Sequence, residues 1–133
     1  KHFNPVIEAM YEVFKTGTGR WSQVKGIQIC GKTGTSENYA VVNGERIQLE
    51  DHSILVAFAP KDNPKIAIAI FVENGGYGSK IAAPITSLMI EKYLNGEISK
   101  ATKYREKNIL NMSLKFEYDK LIPKKEEIAS RTK

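Results

Sequence analysis

The sequence has 133 residues, 41% of them apolar, with a single Cys and 20 Lys+Arg against 15 Asp+Glu. That suits one compact domain and excludes a disordered tail, a disulfide scaffold and a Cys/His zinc scaffold. Residues 97–133 hold ten Lys+Arg and six Asp+Glu, so +4 of the net +5 lies there; Lys alternating with Glu reads as solvated surface, with no aromatic-interleaved basic stripe to argue for nucleic acid.

Asn4-Pro5 is a helix-start signature, and Val6, Ile7, Met10, Tyr11 and Phe14 recur at helical spacing, which predicts a helix from about Pro5 to Phe14 with Asn4 as its cap. Thr16-Gly17-Thr18-Gly19 ends it, because Gly17 is free to take a positive φ. Trp21 to Lys25 is then a connection, and Gly26 to Thr35 reads as a strand on the spacing of Ile27 and Ile29.

The polar stretch Ser36 to Asp51 is either a long excursion or a small hairpin turning at Asn43-Gly44. Ile54 to Ala59 and Lys65 to Val72 form a hairpin around Pro60-Lys61-Asp62-Asn63-Pro64. In its second strand Ile66, Ile68, Ile70 and Val72 share one face and Ala67, Ala69 and Phe71 the other, so both faces are expected to be covered, the smaller one by a closely packed helix. The longest apolar run, Ile66 to Val72, falls far short of the roughly 20 residues of a membrane span, and the first four residues form no signal peptide, so any anchor or export signal is expected outside this chain. The missing initiator Met fits the same expectation of a processed product or a piece of something longer.

Gly75-Gly76-Tyr77-Gly78 is a strand-to-helix turn, Ser79 a candidate cap, and Ile81, Ile85, Leu88 and Met89 trace a helical stripe to about Leu94. Pro84 fits only within the first turn of that helix. Past Asn95-Gly96 the chain is charged. There Leu110, Met112, Leu114, Phe116 and Tyr118 alternate with polar residues, which favours a strand, although Leu110, Leu114, Tyr118 and Leu121 also suit a helix.

Gly26 to Thr33 satisfies the letters of the phosphate-binding loop G-x-x-x-x-G-K-[ST]. A true loop of that kind arches between a strand and a helix opened by Lys-Thr. Here Ile27 to Cys30 is strand material, and Gly34 to Asn38 makes a poor helix start. The competing assignment takes Lys32-Thr33-Gly34-Thr35 as the K-T-G motif of penicillin-recognising serine acyl-enzymes, which lies on a strand at the edge of a cleft. Alternation puts the Thr33 and Thr35 hydroxyls on one face, suited to a substrate carboxylate, and Lys32 on the other. Gly34 admits a ligand close to the backbone, and the Thr35 N–H suits half of an oxyanion hole.

A second Lys-Thr-Gly-Thr, Lys15 to Thr18, follows a helix and serves as its terminator. Ser22-Gln23-Val24-Lys25 fits S-x-x-K, but eight Ser and 16 Lys make about one chance match expected, and Ser22 sits in a connector where a nucleophile needs a helix start. Ser36-Glu37-Asn38 fits S-x-N but abuts the K-T-G strand, too close to face it. His2 and His52 show no pairing partner, and His52 is expected to be structural. Cys30 is expected to be a buried small apolar residue.

Gly31-Lys32-Thr33-Gly34-Thr35, Asp51-His52, Ala57-Phe58-Ala59-Pro60, Asp62-Asn63-Pro64 and Val72-Glu73-Asn74-Gly75-Gly76, in that order, resemble the C-terminal part of the transpeptidase domain in the penicillin-binding protein 2 family, a class B group. The resemblance covers roughly Pro5 to Leu94. It implies an α+β fold, with an antiparallel sheet of about three core strands packed by N- and C-terminal helices; residues 97–133, which carry no motif of the family, are read from their charge as a basic extension. It also implies a cofactor-free D,D-transpeptidase of the cell-wall elongation machinery, at the periplasmic face of the cytoplasmic membrane. Its serine would take a stem peptide's penultimate D-Ala, and β-lactams would trap it.

Carried over by motif, Lys32 would hydrogen-bond the serine of an S-x-N element, Thr33 and Thr35 would bind the terminal carboxylate, and the Thr35 N–H would join the oxyanion hole. The family's S-x-x-K and S-x-N elements have no counterpart after Lys1, so the chain alone is expected to be inactive. A strand that normally lies within a larger sheet would then keep an unpaired edge or pair with another copy.

Overall fold

The computed structural model describes residues 3–122. Helix α1 (Phe3–Lys15) leads through a short 3-10 turn at Arg20–Ser22 to strand β1 (Cys30–Ser36). A small hairpin, β2 (Tyr39–Val42) and β3 (Glu45–Gln48), precedes β4 (His52–Ala59) and β5 (Ile66–Val72). Helices α2 (Ala82–Asn95), α3 (Lys103–Leu110) and α4 (Lys115–Asp119) follow.

The main sheet is antiparallel with three strands, as expected, and runs in the order β1-β4-β5. Residues directly opposite share a face, so Thr33 opposite Leu55 and Thr35 opposite Ser53 lie on one side, and Lys32 opposite Val56 lies on the other. The first side is the core. Leu55, Ala57 and Ala59 are buried there with Phe14 of α1 and Ala82, Ala83 and Ile90 of α2, and a side chain as fully buried as Leu55 contributes about 1.5–3 kcal/mol. Gly31 makes the closest packing feasible, since a Cβ there would lie 2.8 Å from the Phe14 ring.

The opposite side departs from expectation. Val56 (46%) and Phe71 (58%) stand exposed, with Ala67 and Ala69 exposed beside them, so among the described residues nothing covers the small-residue face of β5. Both helices that pack on the sheet, α1 and α2, lie on the core side instead.

Several boundaries also differ. Helix α1 begins at Phe3, which puts Asn4 inside it, and no side chain of Ser79 caps α2, whose N-cap position is Ile81. The strand expected from Gly26 begins only at Cys30. Gly26 has φ +82° and the Ile27 N–H donates to the Val24 carbonyl, so the chain turns there before entering the sheet. Asn43 and Gly44, both at positive φ, form the expected tight hairpin turn.

The predicted strand over Leu110 to Tyr118 is absent: α3 ends at Leu110 and α4 spans Lys115–Asp119. What holds α4 is Glu117, fully buried, whose carboxylate accepts the Glu50 N–H at 2.9 Å and the Lys120 ammonium at 2.6 Å. Burial pushes the Glu117 carboxyl up, but the Lys120 and Glu50 hydrogen bonds outweigh it and hold it below the ordinary carboxylate value. Residues 97–122 therefore pack on the domain, with Thr102 and Ser99 hydrogen-bonded to the buried Glu91 of α2. His2 and the segment from Pro123 to Lys133 lie outside the described residues.

Candidate active site

Strand β1 carries Lys32-Thr33-Gly34-Thr35 along an edge that, among the described residues, pairs with β4 alone. All of Cys30–Ser36 is in register with His52–Phe58. No helix begins at Thr33, so the phosphate-loop alternative fails on geometry: its supposed arch is in part a turn and in part a β-ladder.

Lys32 is exposed, and its ammonium donates to the Thr33 carbonyl at 2.6 Å. Thr35 is exposed on the other face. Thr33 is half-buried, and its hydroxyl lies 2.9 Å from that of Thr18. The first Lys-Thr-Gly-Thr thus ends α1, with the Thr16 and Gly17 N–H groups both donating to the Glu12 carbonyl, and then touches the second. Ser22 is buried in its 3-10 turn, away from any helix start suited to a nucleophile.

The glycine turn after β5 braces β1 from the core side. A Cβ on Gly78 would lie 2.7 Å from the Gly34 carbonyl oxygen and closer still to that of Ile54, so only glycine allows this approach. Ser53, opposite Thr35, is fully buried; its hydroxyl donates to the Tyr77 carbonyl and accepts the Ala82 N–H, both at 3.2 Å. One serine therefore ties the turn and the start of α2 to the strand facing Thr35.

Asn74 anchors the same corner. It is 4% exposed with φ +55°, its side-chain oxygen accepts from Asn38 at 2.5 Å, and its N–H donates to His52 Nδ1 at 3.2 Å. His52 has the structural setting expected of it, packed also on the Phe71 ring. Asn38, the last residue of the S-x-N look-alike, is engaged in this bracing. Cys30 is buried, and burial pushes its thiol up. Sequence reasoning missed Thr18, Ser53 and Asn74, since nothing local marks them.

A K-T-G stretch on a sheet edge, with its hydroxyls and its lysine on opposite faces and two helices behind, defines the class of penicillin-recognising acyl-transfer domains. The chain belongs to the penicillin binding protein transpeptidase domain family, which it matches over residues 1–91. It is 33% identical over 105 residues to the peptidoglycan D,D-transpeptidase MrdA of Haemophilus influenzae, covering 71% of this chain and 16% of that protein. It is 43% identical over 83 residues to its Acinetobacter baumannii counterpart, covering 56% and 12%. Penicillin-binding protein A from M. tuberculosis, solved as a ceftriaxone acyl-enzyme, superposes with a TM-score of 0.54 at 34% identity, over 67% of this chain and 20% of that one. PBP2 of Pseudomonas aeruginosa gives 0.52 at 31% identity, over 71% and 20%. The chain thus spans under a fifth of the length of these curated relatives.

Proposed function

We propose that this chain supplies the K-T-G strand of a peptidoglycan D,D-transpeptidase site, together with the sheet and helices that hold it. What supports this is the register of β1: Thr33 and Thr35 face the core side with Leu55 and Ser53, and Lys32 faces away. In this role the two hydroxyls bind the terminal carboxylate of a stem peptide by charge-assisted hydrogen bonds. The Thr35 N–H contributes to the oxyanion hole, where one donor is typically worth about 2.7–4 kcal/mol in the transition state. Lys32 swings from the Thr33 carbonyl to the serine of an S-x-N element, and Gly34 leaves room for the ligand against the backbone.

The whole protein then acts in cell-wall elongation and cell shape, at the periplasmic face of the inner membrane, and β-lactams acylate it. Among the described residues no helix is long and apolar enough to cross a membrane. The 133 residues alone form no acyl-enzyme, because Ser22 is buried at the end of its 3-10 turn and Gln23 beyond it is extended, so Lys25 is not brought round by a helical turn. The edges of β1 and β5, unpaired among the described residues, leave room for self-association.

Two measurements on the isolated chain test this. Fluorescent penicillin leaves no covalent label, and a stoichiometric adduct lost in Ser22→Ala overturns the inactivity claim. N-acetyl-D-Ala-D-Ala, titrated at millimolar concentration, shifts the amide resonances of Thr33 to Thr35, and the shifts vanish in Thr35→Val. Silence at those amides overturns the carboxylate role.

A further inference from the structure

Helix α4 lies outside residues 1–91, the stretch that matches the transpeptidase family, yet it is anchored to the corner that braces the K-T-G strand. Its Glu117 is fully buried; one carboxylate oxygen accepts the Glu50 N–H and the other the Lys120 ammonium. One residue on, the Tyr118 hydroxyl donates to the Glu73 carboxylate at 3.4 Å. Glu50 leads into β4 and Glu73 leaves β5, so α4 grips both connections at the end of the sheet where β1 also ends.

Both contacts converge on Asn38. Its side-chain amide donates to the Glu50 carbonyl at 3.3 Å and to the Asn74 side-chain oxygen at 2.5 Å, and Asn74 directly follows Glu73. Its own carbonyl accepts the Leu49 N–H at 3.3 Å and the Gln48 side-chain amide at 2.7 Å. Backbone and side chain of Asn38 are thus held by the two segments that α4 grips.

Asn38 stands two residues past the end of β1 and three past Thr35. Three residues reach at most about 11 Å when extended, so little slack separates the two. Among the described residues β1 pairs with β4 alone, which makes Asn38 the second restraint on the end of the strand that carries Thr35. A bond from a backbone N–H to a carboxylate is roughly twice as strong as a neutral one, so Glu117 is a firm point from which to hold this network.

We infer that Glu117 is a positioning residue of the site: from α4 it fixes Glu50, and through Glu50 and Asn38 it sets where Thr35 stands at the strand edge. This rests on the reading of Thr35 as a ligand for the stem-peptide carboxylate. Substrate does not touch α4 in this role.

Glu117→Gln keeps the side-chain shape and removes the charge. In the ligand-free chain at pH 7 it is expected to move the resonances of the Asn38 side-chain amide and of the Thr35 and Ser36 backbone amides. It should also weaken binding of N-acetyl-D-Ala-D-Ala about three- to tenfold. Thr102→Val is the control, because it loosens the same extension at Glu91, off this path; those resonances and the affinity should stay as they are. Asn38→Ala should weaken the dipeptide by a similar factor, and the double variant by no more than either single one.

The parent chain offers an arm that needs no variant. Anchoring and binding are linked reciprocally, so saturating dipeptide should slow exchange of the Glu50 amide by a matching factor. Unmoved resonances in Glu117→Gln, an equal effect of Thr102→Val, factors that multiply in the double variant, or a Glu50 amide indifferent to the dipeptide each overturn the role. Parent amides at Thr33 to Thr35 that ignore the dipeptide remove the transpeptidase reading and this role with it. An equal response in the parent and Glu117→Gln removes this role alone.

Discussion

Thr18, the last residue of one Lys-Thr-Gly-Thr stretch, and Thr33, the second of the other, 15 residues apart, meet hydroxyl to hydroxyl at 2.9 Å. The contact orients the Thr33 side chain and links the end of α1 to the strand edge. Removing either hydroxyl is expected to cost about 0.5–1.5 kcal/mol. In urea titrations Thr18→Val and Thr33→Val should each lower stability by that amount, and the double variant should lose less than the sum. Strict additivity would show that the two hydroxyls do not interact.

Gly78 and Gly34 touch through backbone, yet their substitutions should differ. A Cβ on Gly34 would come no closer than 3.3 Å to the Ile54 side chain, whereas one on Gly78 would press on the carbonyl oxygens of Gly34 and Ile54. Gly78→Ala is therefore expected to destabilise by about 1–3 kcal/mol or more, and Gly34→Ala by much less. Thermal melts of the two variants check the order.

Glu117 makes stability depend on acid. Its carboxyl is held below the ordinary value of 4.5 in the fold, so the unfolded chain takes up its proton first. The contribution is fully present above the ordinary value and fades as pH falls through the folded one. Urea midpoints for the parent chain and Glu117→Gln should differ at pH 7 and converge toward pH 3. A gap that persists at low pH would assign the effect to shape, not charge.

Glu91 is 1% exposed and accepts from the Ser99 N–H and the Thr102 hydroxyl. Thr102→Val leaves a buried carboxylate short of a donor, so a loss of about 1–3 kcal/mol is expected. A stability equal to that of the parent, measured by urea unfolding, would mean that water replaces the threonine.

The parts of the fold legible in sequence are those set by neighbours along the chain. Asn43-Gly44 announced its hairpin, and the flanking apolar residues placed Lys32 to Thr35 on a strand; Gly17 announced its helix end too, but not through the positive φ expected of it, since it takes none and is needed because a Cβ there would lie 2.9 Å from Val13 Cα. Gly26 misled because its positive φ turns the chain just where Ile27 and Ile29 look like a strand. The alternation from Leu110 to Tyr118 misled for a different reason. Glu117, polar in that pattern, is the residue that goes inside, drawn by a backbone N–H at Glu50, which is 67 residues away. At the site, the threonines and lysine were legible by motif, but Ser53 and Asn74 were not, since their partners lie 22 to 36 residues away. The bare face of β5 was equally hidden, because composition tells which side chains are apolar and not what lies over them.

Within the main sheet, among the described residues, only β4 is flanked on both sides. Its amide protons are locked by two neighbours, while alternate amides of β1 and β5 point outward from the ladder. In heavy water the exchange of hydrogen for deuterium should thus sort the strands by rank, with β4 the slow interior and the K-T-G edge among the first to exchange. An edge open enough to give up its protons to solvent is also one whose backbone can still be addressed by an incoming chain.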